Sequence, residues 1–228
     1  MDRLALFDID CTLIDAHGAG SRAILAAVAD TYGVSGGLDG YSFPGRTDPA
    51  IVADLATRWG VPPEVAVRRV PEALARYVQL LGEEAASGEI EVLPGVRELV
   101  AVLAGEPRVL LGLLTGNVEH GARLKLAPTG LLESFPIGAY GSDSARRPDL
   151  PPVAVARAEA LTGRRFRGKQ IAVIGDTPAD IECGASLGVK TIGVATGRHT
   201  PDDLAAHAPD HVFADLSDWR TAAAAILA

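Results

Sequence analysis

Six short apolar runs, at residues 4–7, 109–114, 137–139, 171–174, 191–194 and 211–213, recur along the chain. Runs this short, apolar at successive positions, predict strands buried on both faces. The stretches at 96–103, 118–126, 152–161, 179–187 and 201–206 carry the apolar spacing of amphipathic helices. Strand alternating with helix predicts a parallel sheet covered on both faces, a three-layer α/β/α Rossmann-like core. The interval 15–92 breaks the alternation. Its predicted helices, 20–32, 48–59 and 63–84, have no strand between them, and "VSGGLDGYSFPGRTD" and "ASGEIEVLPG" are glycine- and proline-rich connections. The chain therefore reads as a core in two pieces, 1–14 and 93–228, with an α-helical cap, 15–92, inserted after the first strand.

A chain of 228 residues, 48% hydrophobic and 22% charged, has the length and composition of a globular protein with a substantial core. Its net charge of −8 argues against nucleic-acid binding, which favours basic surfaces. A small anion, held by local positive charge, stays compatible with it. No stretch is long and apolar enough to span a bilayer, and no basic segment followed by an apolar run opens the sequence. Cys11 and Cys183 are the only cysteines, too few for a disulfide scaffold, so free thiols in a reducing cytoplasm are expected. Monomer and homodimer are equally compatible with the sequence.

Open parallel sheets bind ligands beyond the carboxyl ends of their strands. The first run ends in "RLALFDIDCTLID", with Asp8 and Asp10 one residue apart, on one face by strand alternation, and nothing basic between them. Thr115, Gly116 and Asn117 follow the run at 109–114; Gly175, Asp176, Thr177 and then Asp180 follow that at 171–174. Carboxylates collected at one edge repel by roughly 4 kcal/mol per pair at a separation of about 4 Å and an effective dielectric near 20. A divalent cation removes that cost. An all-oxygen set, with no His or Cys spacing suited to zinc, points to Mg²⁺, which takes one or two carboxylates plus a substrate phosphate. The Thr115 hydroxyl and the N–H groups of Gly116 and Asn117, ahead of a helix, suit that phosphate. Arg146 and Arg147 in "SARRPDLPP" supply positive charge.

In this order the residues resemble the motifs of the haloacid dehalogenase superfamily. "DIDCTLID" resembles its first motif, Asp-x-Asp-x-Thr-Leu/Val; "LGLLTGN" resembles its second, a strand ending in Thr or Ser; "VIGDTPADIECG" resembles its fourth, Gly-Asp-x-x-x-Asp. The helical insertion sits where that superfamily places its first type of cap, and "FPGRTDPAI" is similar to a cap loop of its phosphoglycolate-phosphatase-like members. The resemblance implies a phosphatase that hydrolyses a small phosphorylated metabolite through an aspartyl-phosphate. Asp8 is then the nucleophile, and Asp10 protonates the leaving oxygen and later activates water. Mg²⁺ is expected on the side chains of Asp8 and Asp176 and the backbone carbonyl of Asp10. Thr115 is expected on a phosphoryl oxygen, and Asp180 positions its neighbours or reaches the metal through water. A phosphomutase shares these motifs and a similar cap. A dehalogenase needs neither Mg²⁺ nor a general acid, so Asp10 and the fourth motif argue against it.

Two positions depart from the pattern. The superfamily's third motif carries lysine, often Lys-Pro, but Lys125, Lys169 and Lys190, the only lysines, do not precede the corresponding helix. Arg147-Pro148 stands there instead, so Arg147 is expected to take the role, with Arg146 and Lys125 the alternatives. Cys11 stands where glycine is common and is expected to be a small buried thiol, not a nucleophile. In the cap, Arg46 is expected either to meet the substrate's far end or to pin a helix. His17 is expected to be solvated in the linker, and Trp59 and Trp219 to pack.

Overall fold

The computed structural model describes residues 2–88 and 90–228. After β1 (Arg3–Phe7) and a two-residue β2 (Ile14–Asp15) come four helices, α1 (Ala19–Tyr32), α2 (Asp48–Arg58), α3 (Pro63–Arg68) and α4 (Val70–Ser87). The chain continues through β3 (Glu91–Val92), α5 (Val96–Ala104), β4 (Val109–Leu114), α6 (Glu119–Leu126), β5 (Ile137–Ala139) and α7 (Leu150–Thr162). It ends with β6 (Ile171–Gly175), α8 (Pro178–Ser186), β7 (Lys190–Val194), α9 (Pro201–Ala205), β8 (His211–Phe213) and α10 (Trp219–Leu227).

Six strands form one sheet in the order β5-β4-β1-β6-β7-β8, every neighbouring pair parallel. The alternation within β1 builds a core on each face. Ala5 and Phe7 pack with Leu113 and Ile174 against Leu99 and Leu103 of α5 and Ile226 of α10. Leu4 and Leu6 pack with Ile137 and Val173 against Leu150, Ala154 and Ala158 of α7. Each fully buried Leu or Phe here contributes about 1.5–3 kcal/mol over its exposed state. The sheet order reverses at β1: the chain moves outward through β4 and β5, then returns to the other side through β6, β7 and β8. Loops diverge at such a switch point and leave a crevice. Asp8, Thr115 and Asp176 follow β1, β4 and β6, so all three arrive there.

The helices between β2 and β3 share a separate apolar cluster, with Ile24 and Val28 of α1, Val52 and Leu55 of α2, and Tyr77 and Leu81 of α4. Two details differ from the sequence reading. β2 and β3 pair antiparallel, Ile14 with Val92 and Asp15 with Glu91, at the base of the interval read as helical only; two residues per strand are too few to show alternation. The helix expected at 63–84 is two helices that break at Arg69, with Pro71 in the first turn of α4, where its missing N–H leaves no bond unmade. The alanine-rich tail is a helix, α10. Asp218 caps it by accepting from the Thr221 N–H (3.2 Å) and hydroxyl (2.6 Å), and Arg3 Nε donates to the Leu227 carbonyl (2.9 Å) at its other end.

Candidate active site

The Asp8 N–H donates to the Ile174 carbonyl (2.9 Å), which extends the β1–β6 ladder one rung past the strand and delivers the carboxylate to the sheet edge. The chain then turns sharply. Cys11 takes a left-handed φ of 58° and donates its N–H to the Ile14 carbonyl (2.8 Å). Thr115 leaves β4 with its N–H on the Ala139 carbonyl (3.0 Å). After β6, Thr177 caps α8. Its N–H (3.1 Å) and hydroxyl (2.6 Å) donate to Asp180 Oδ2, which fixes that carboxylate in the first turn.

Arg147 lies on a short 3-10 turn ahead of α7, buried, with Nη2 bonded to Asp180 Oδ1 and 3.5 Å from Asp8 Oδ1. Its Nε and the Thr12 hydroxyl are buried without a partner among the described residues. Asp8, Asp176 and Asp180 each bring one carboxylate oxygen within 4.8 Å of the others. A single guanidinium thus faces three buried acids. Burial pushes Asp8 up to about 7 against the pull of Arg147, with Asp180 and Asp10 adding to the rise. Burial and the neighbouring Asp180 and Asp8 push Asp176 up to about 8. Carboxylates in excess of protein cations, all offering hard oxygen donors, fit a divalent cation of the Mg²⁺ type.

Asp10 has a different set of partners. Lys125 Nζ donates to both of its oxygens (2.8 and 2.7 Å) and to Asn117 Oδ1 (2.7 Å). Asn117 Nδ2 donates to Asp10 Oδ2 (2.7 Å) and Thr115 Oγ1 (2.9 Å). Burial opposes the charge on Asp10, but Lys125 and Asn117 outweigh it and hold the carboxyl below its ordinary range.

A cavity of about 280 Å³ lies over this edge, floored by Asp8, Asp10, Thr115, Arg147 and Asp176 and faced by Ile24, Ile51 and Tyr77 from the inserted helices and Phe43 from the loop ahead of α2. The segment leading into α2 is seated on the core. Asp48 N–H donates to the Gly116 carbonyl (2.8 Å), the Thr47 hydroxyl to the Ala145 carbonyl (2.7 Å), and Val118 N–H to Asp48 Oδ2 (2.9 Å). A Cβ at position 116 would stand 2.0 Å from the Arg46 carbonyl oxygen, so this approach requires glycine.

A family model described as HAD-hydrolase-like matches residues 151–219. Across the whole chain, 30% of residues are identical to "Probable phosphatase IndB" of Dickeya dadantii, over 100% of this chain and 96% of that one. The chain belongs to the HAD-like hydrolases. A phosphoglycolate phosphatase of Pectobacterium atrosepticum is 27% identical over 92% of this chain and 88% of its own length. The crystal structure of CbbY from Rhodobacter sphaeroides in complex with phosphate superposes with a TM-score of 0.71 at 17% identity, covering 96% of each chain. The superposition agrees with the α/β fold read from the sequence, and this HAD-like hydrolase is thus similar over nearly its whole length to proteins named as phosphatases.

Among the residues singled out in the sequence, Asp8, Asp10, Thr115, Gly116, Asn117, Arg147, Asp176 and Arg46 all line the cavity. Asp180 sits behind Arg147. Arg146 is 79% exposed and faces Asp149 at 3.9 Å, away from the acids. Arg46 reaches the cavity rim but is tied to Asp54 (3.0 Å) and lies 5.1 Å over the Tyr41 ring. His17 is half exposed, between Asp15 and Glu91 at the β2–β3 ribbon. Asn117 spends its backbone N–H on Thr115 Oγ1 (3.3 Å) and its side chain on Asp10, Thr115 and Lys125. Asp48, Tyr77 and Arg198 also line the cavity and went unnoticed in the sequence. The strand-end rule that found Asp176 points to Arg198 as well, in the loop after β7. Asp48 reads only as a first-turn acid after Thr47, and Tyr77 only as a helix packing residue.

No helix among the described residues is long and apolar enough to cross a membrane. Cys11 is half-buried, not fully buried, and burial with the four surrounding aspartates pushes its thiol up to about 12, which suppresses thiolate chemistry. Its left-handed backbone costs a non-glycine residue about 1 kcal/mol. Cys11→Gly is therefore expected to raise stability by up to about 1 kcal/mol, read as a higher urea midpoint at unchanged m. A lower midpoint would mean that thiol packing outweighs the strain.

Proposed function

We propose that this HAD-like hydrolase is a Mg²⁺-dependent phosphatase that hydrolyses a small phosphomonoester through a phosphorylated Asp8, in the cytoplasm. The observation that carries the reading is the convergence of Asp8 and Asp176, acids without full protein compensation, with Arg147 and Thr115 at one sheet edge. Relatives named as phosphatases support hydrolysis over transfer to a second site on the substrate. The cavity of about 280 Å³ suits a metabolite-sized ester.

Asp8 attacks phosphorus in line with the ester oxygen, forming the Asp8–phosphorus bond as the ester bond breaks. Arg147, charged at every accessible pH, steadies Asp8 and faces the equatorial oxygens. The Thr115 hydroxyl accepts from Asn117, which leaves its own hydrogen for a phosphoryl oxygen. Asp10, in the fraction of enzyme that carries a proton against the pull of Lys125 and Asn117, gives it to the departing oxygen, then takes one from the water that hydrolyses phospho-Asp8. Asp180 binds Arg147 and Thr177 and so acts by positioning Arg147. The side chains of Asp8 and Asp176 with the Asp10 carbonyl would hold Mg²⁺, which when bound neutralises the carboxylates and the charge on the phosphoryl oxygens. The inserted helices act as a cap: the segment 43–48 excludes bulk water over the leaving group, while Arg46 at the rim pins α2 through Asp54.

Phosphate release across a panel of small phosphomonoesters, with Mg²⁺ or with chelator, tests the reading. Turnover is expected only with the cation, and chelator-resistant release would overturn it. The acids add a pH signature. Asp8 near 7 and Asp176 near 8 both lie above the ordinary value of 3.8. In the metal-free protein the native state therefore keeps protons that the unfolded chain has lost, and stability falls as pH rises from about 4 through 8. Cation binding expels those protons. Mg²⁺ affinity is expected to rise from pH 6 to pH 8 with net proton release by calorimetry; a pH-independent affinity would contradict it.

A further inference from the structure

Lys125 is 3% exposed and plays no part in the steps above. We propose that Lys125 is a positioning residue that aims Asp10 at the leaving-group oxygen, and that the cap residues Asp48 and Tyr77 hold Lys125 in place, so that Asp10 is aligned only when the cap is seated. The proposal rests on the reading of Asp10 as general acid.

An ammonium has three N–H bonds. Among the described residues, the hydrogen bonds of Lys125 fall on Asp10 Oδ1, Asp10 Oδ2 and Asn117 Oδ1. Asn117 returns a bond to Asp10 Oδ2, so Lys125, Asn117 and Asp10 form a closed circuit. The circuit fixes the Asp10 carboxyl while 40% of its side chain stays open to the cavity. Arg147 serves Asp8; Lys125 serves Asp10.

The other side of the ammonium is walled by the cap. The Asp48 carboxylate, on α2, is a second negative charge on Lys125, and Tyr77 of α4 lines the same wall of the cavity. Gly20, on α1, leaves the room: a Cβ there would stand 3.0 Å from Lys125 Nζ and 3.7 Å from the Tyr77 hydroxyl. Three cap helices thus converge on one core cation. Lifting the cap would replace Asp48 and Tyr77 with water, raise the local dielectric around Lys125 and loosen its hold on Asp10.

The test compares kcat/KM for an alkyl phosphate, whose leaving oxygen needs a proton, with kcat/KM for 4-nitrophenyl phosphate, which departs as an anion. This parameter covers steps only through leaving-group departure, so hydrolysis of the phospho-enzyme drops out. Asp10→Asn should lose at least about 100-fold more on the alkyl ester than on the aryl ester. Lys125→Met should show the same selectivity, about tenfold or more, and Tyr77→Phe a smaller selectivity of about threefold, with near-native circular dichroism. Equal losses on both esters in Lys125→Met, or no selectivity in Tyr77→Phe, overturn the proposal; if Lys125→Met does not fold, Tyr77→Phe decides alone. A selective Asp10→Asn with an unselective Lys125→Met removes the proposal only. An unselective Asp10→Asn removes the general-acid reading and the proposal with it.

Discussion

Asp8→Asn is expected to lower phosphate release by about 10⁴-fold or more, roughly 5.5 kcal/mol on the barrier, with no loss of fold. The amide keeps the size and planarity of the carboxylate but cannot attack phosphorus. Arg147 keeps its bond to Asp180, so the surrounding framework has no reason to collapse. The same substitution should stabilise the metal-free protein above pH 7. Asp8 is pushed up to about 7, chiefly by burial, so at pH 8 the native state carries a buried charge that it resists; asparagine carries none. Activity lost and metal-free melting temperature gained at pH 8 is the expected pair. Comparable turnover in Asp8→Asn would mean that another group accepts the phosphoryl or that water attacks directly.

Arg147→Met carries the second large effect, on stability as well as rate. The guanidinium is the cation nearest Asp8 and Asp180, and its side chain is only 7% exposed. Removing it leaves buried acids facing one another, which costs about 3–5 kcal/mol in comparable buried pairs. It also removes the donor facing the transferring phosphoryl group, worth about 100-fold in kcat. The stability loss should shrink as pH falls, because protonating the acids replaces the lost cation. Arg147→Lys should recover part of the stability by restoring charge, but less of the rate, since an ammonium lacks the planar fork. An Arg147→Met protein with native melting temperature at pH 8 would contradict this account of the acids.

The sheet was legible in the sequence because it is parallel and buried on both faces, so each strand is a short apolar run; 109–114, 137–139 and 211–213 match β4, β5 and β8 residue for residue. The strand-end rule then found Asp8, Thr115 and Asp176 from position alone. What escaped depends on packing between distant segments. Lys125 entered only as an alternative to Arg147; it lies eight residues beyond Asn117 on α6, and nothing in "EHGARLKL" shows that it folds inward onto Asp10. Placing Arg147 needed the fold too: Arg146 beside it has the same chemistry, and only the turn before α7 turns one inward and the other to solvent. Asp48 and Tyr77 are hidden for a related reason. Each satisfies a local role, first-turn acid and apolar helix face, that accounts for it without the site. The break at Arg69 was readable, since Pro71 marks the first turn of a new helix.

The central claim, that Asp8 carries the phosphoryl group, is tested most directly by rapid acid quench during turnover of an alkyl phosphate with Mg²⁺, followed by proteolysis and mass spectrometry. The account predicts one phosphoryl group on the peptide containing Asp8, lost on hydroxylamine treatment and absent from Asp8→Asn. A covalent phosphoryl group on any other residue, or steady turnover with none at all on a millisecond-quenched enzyme, would contradict it.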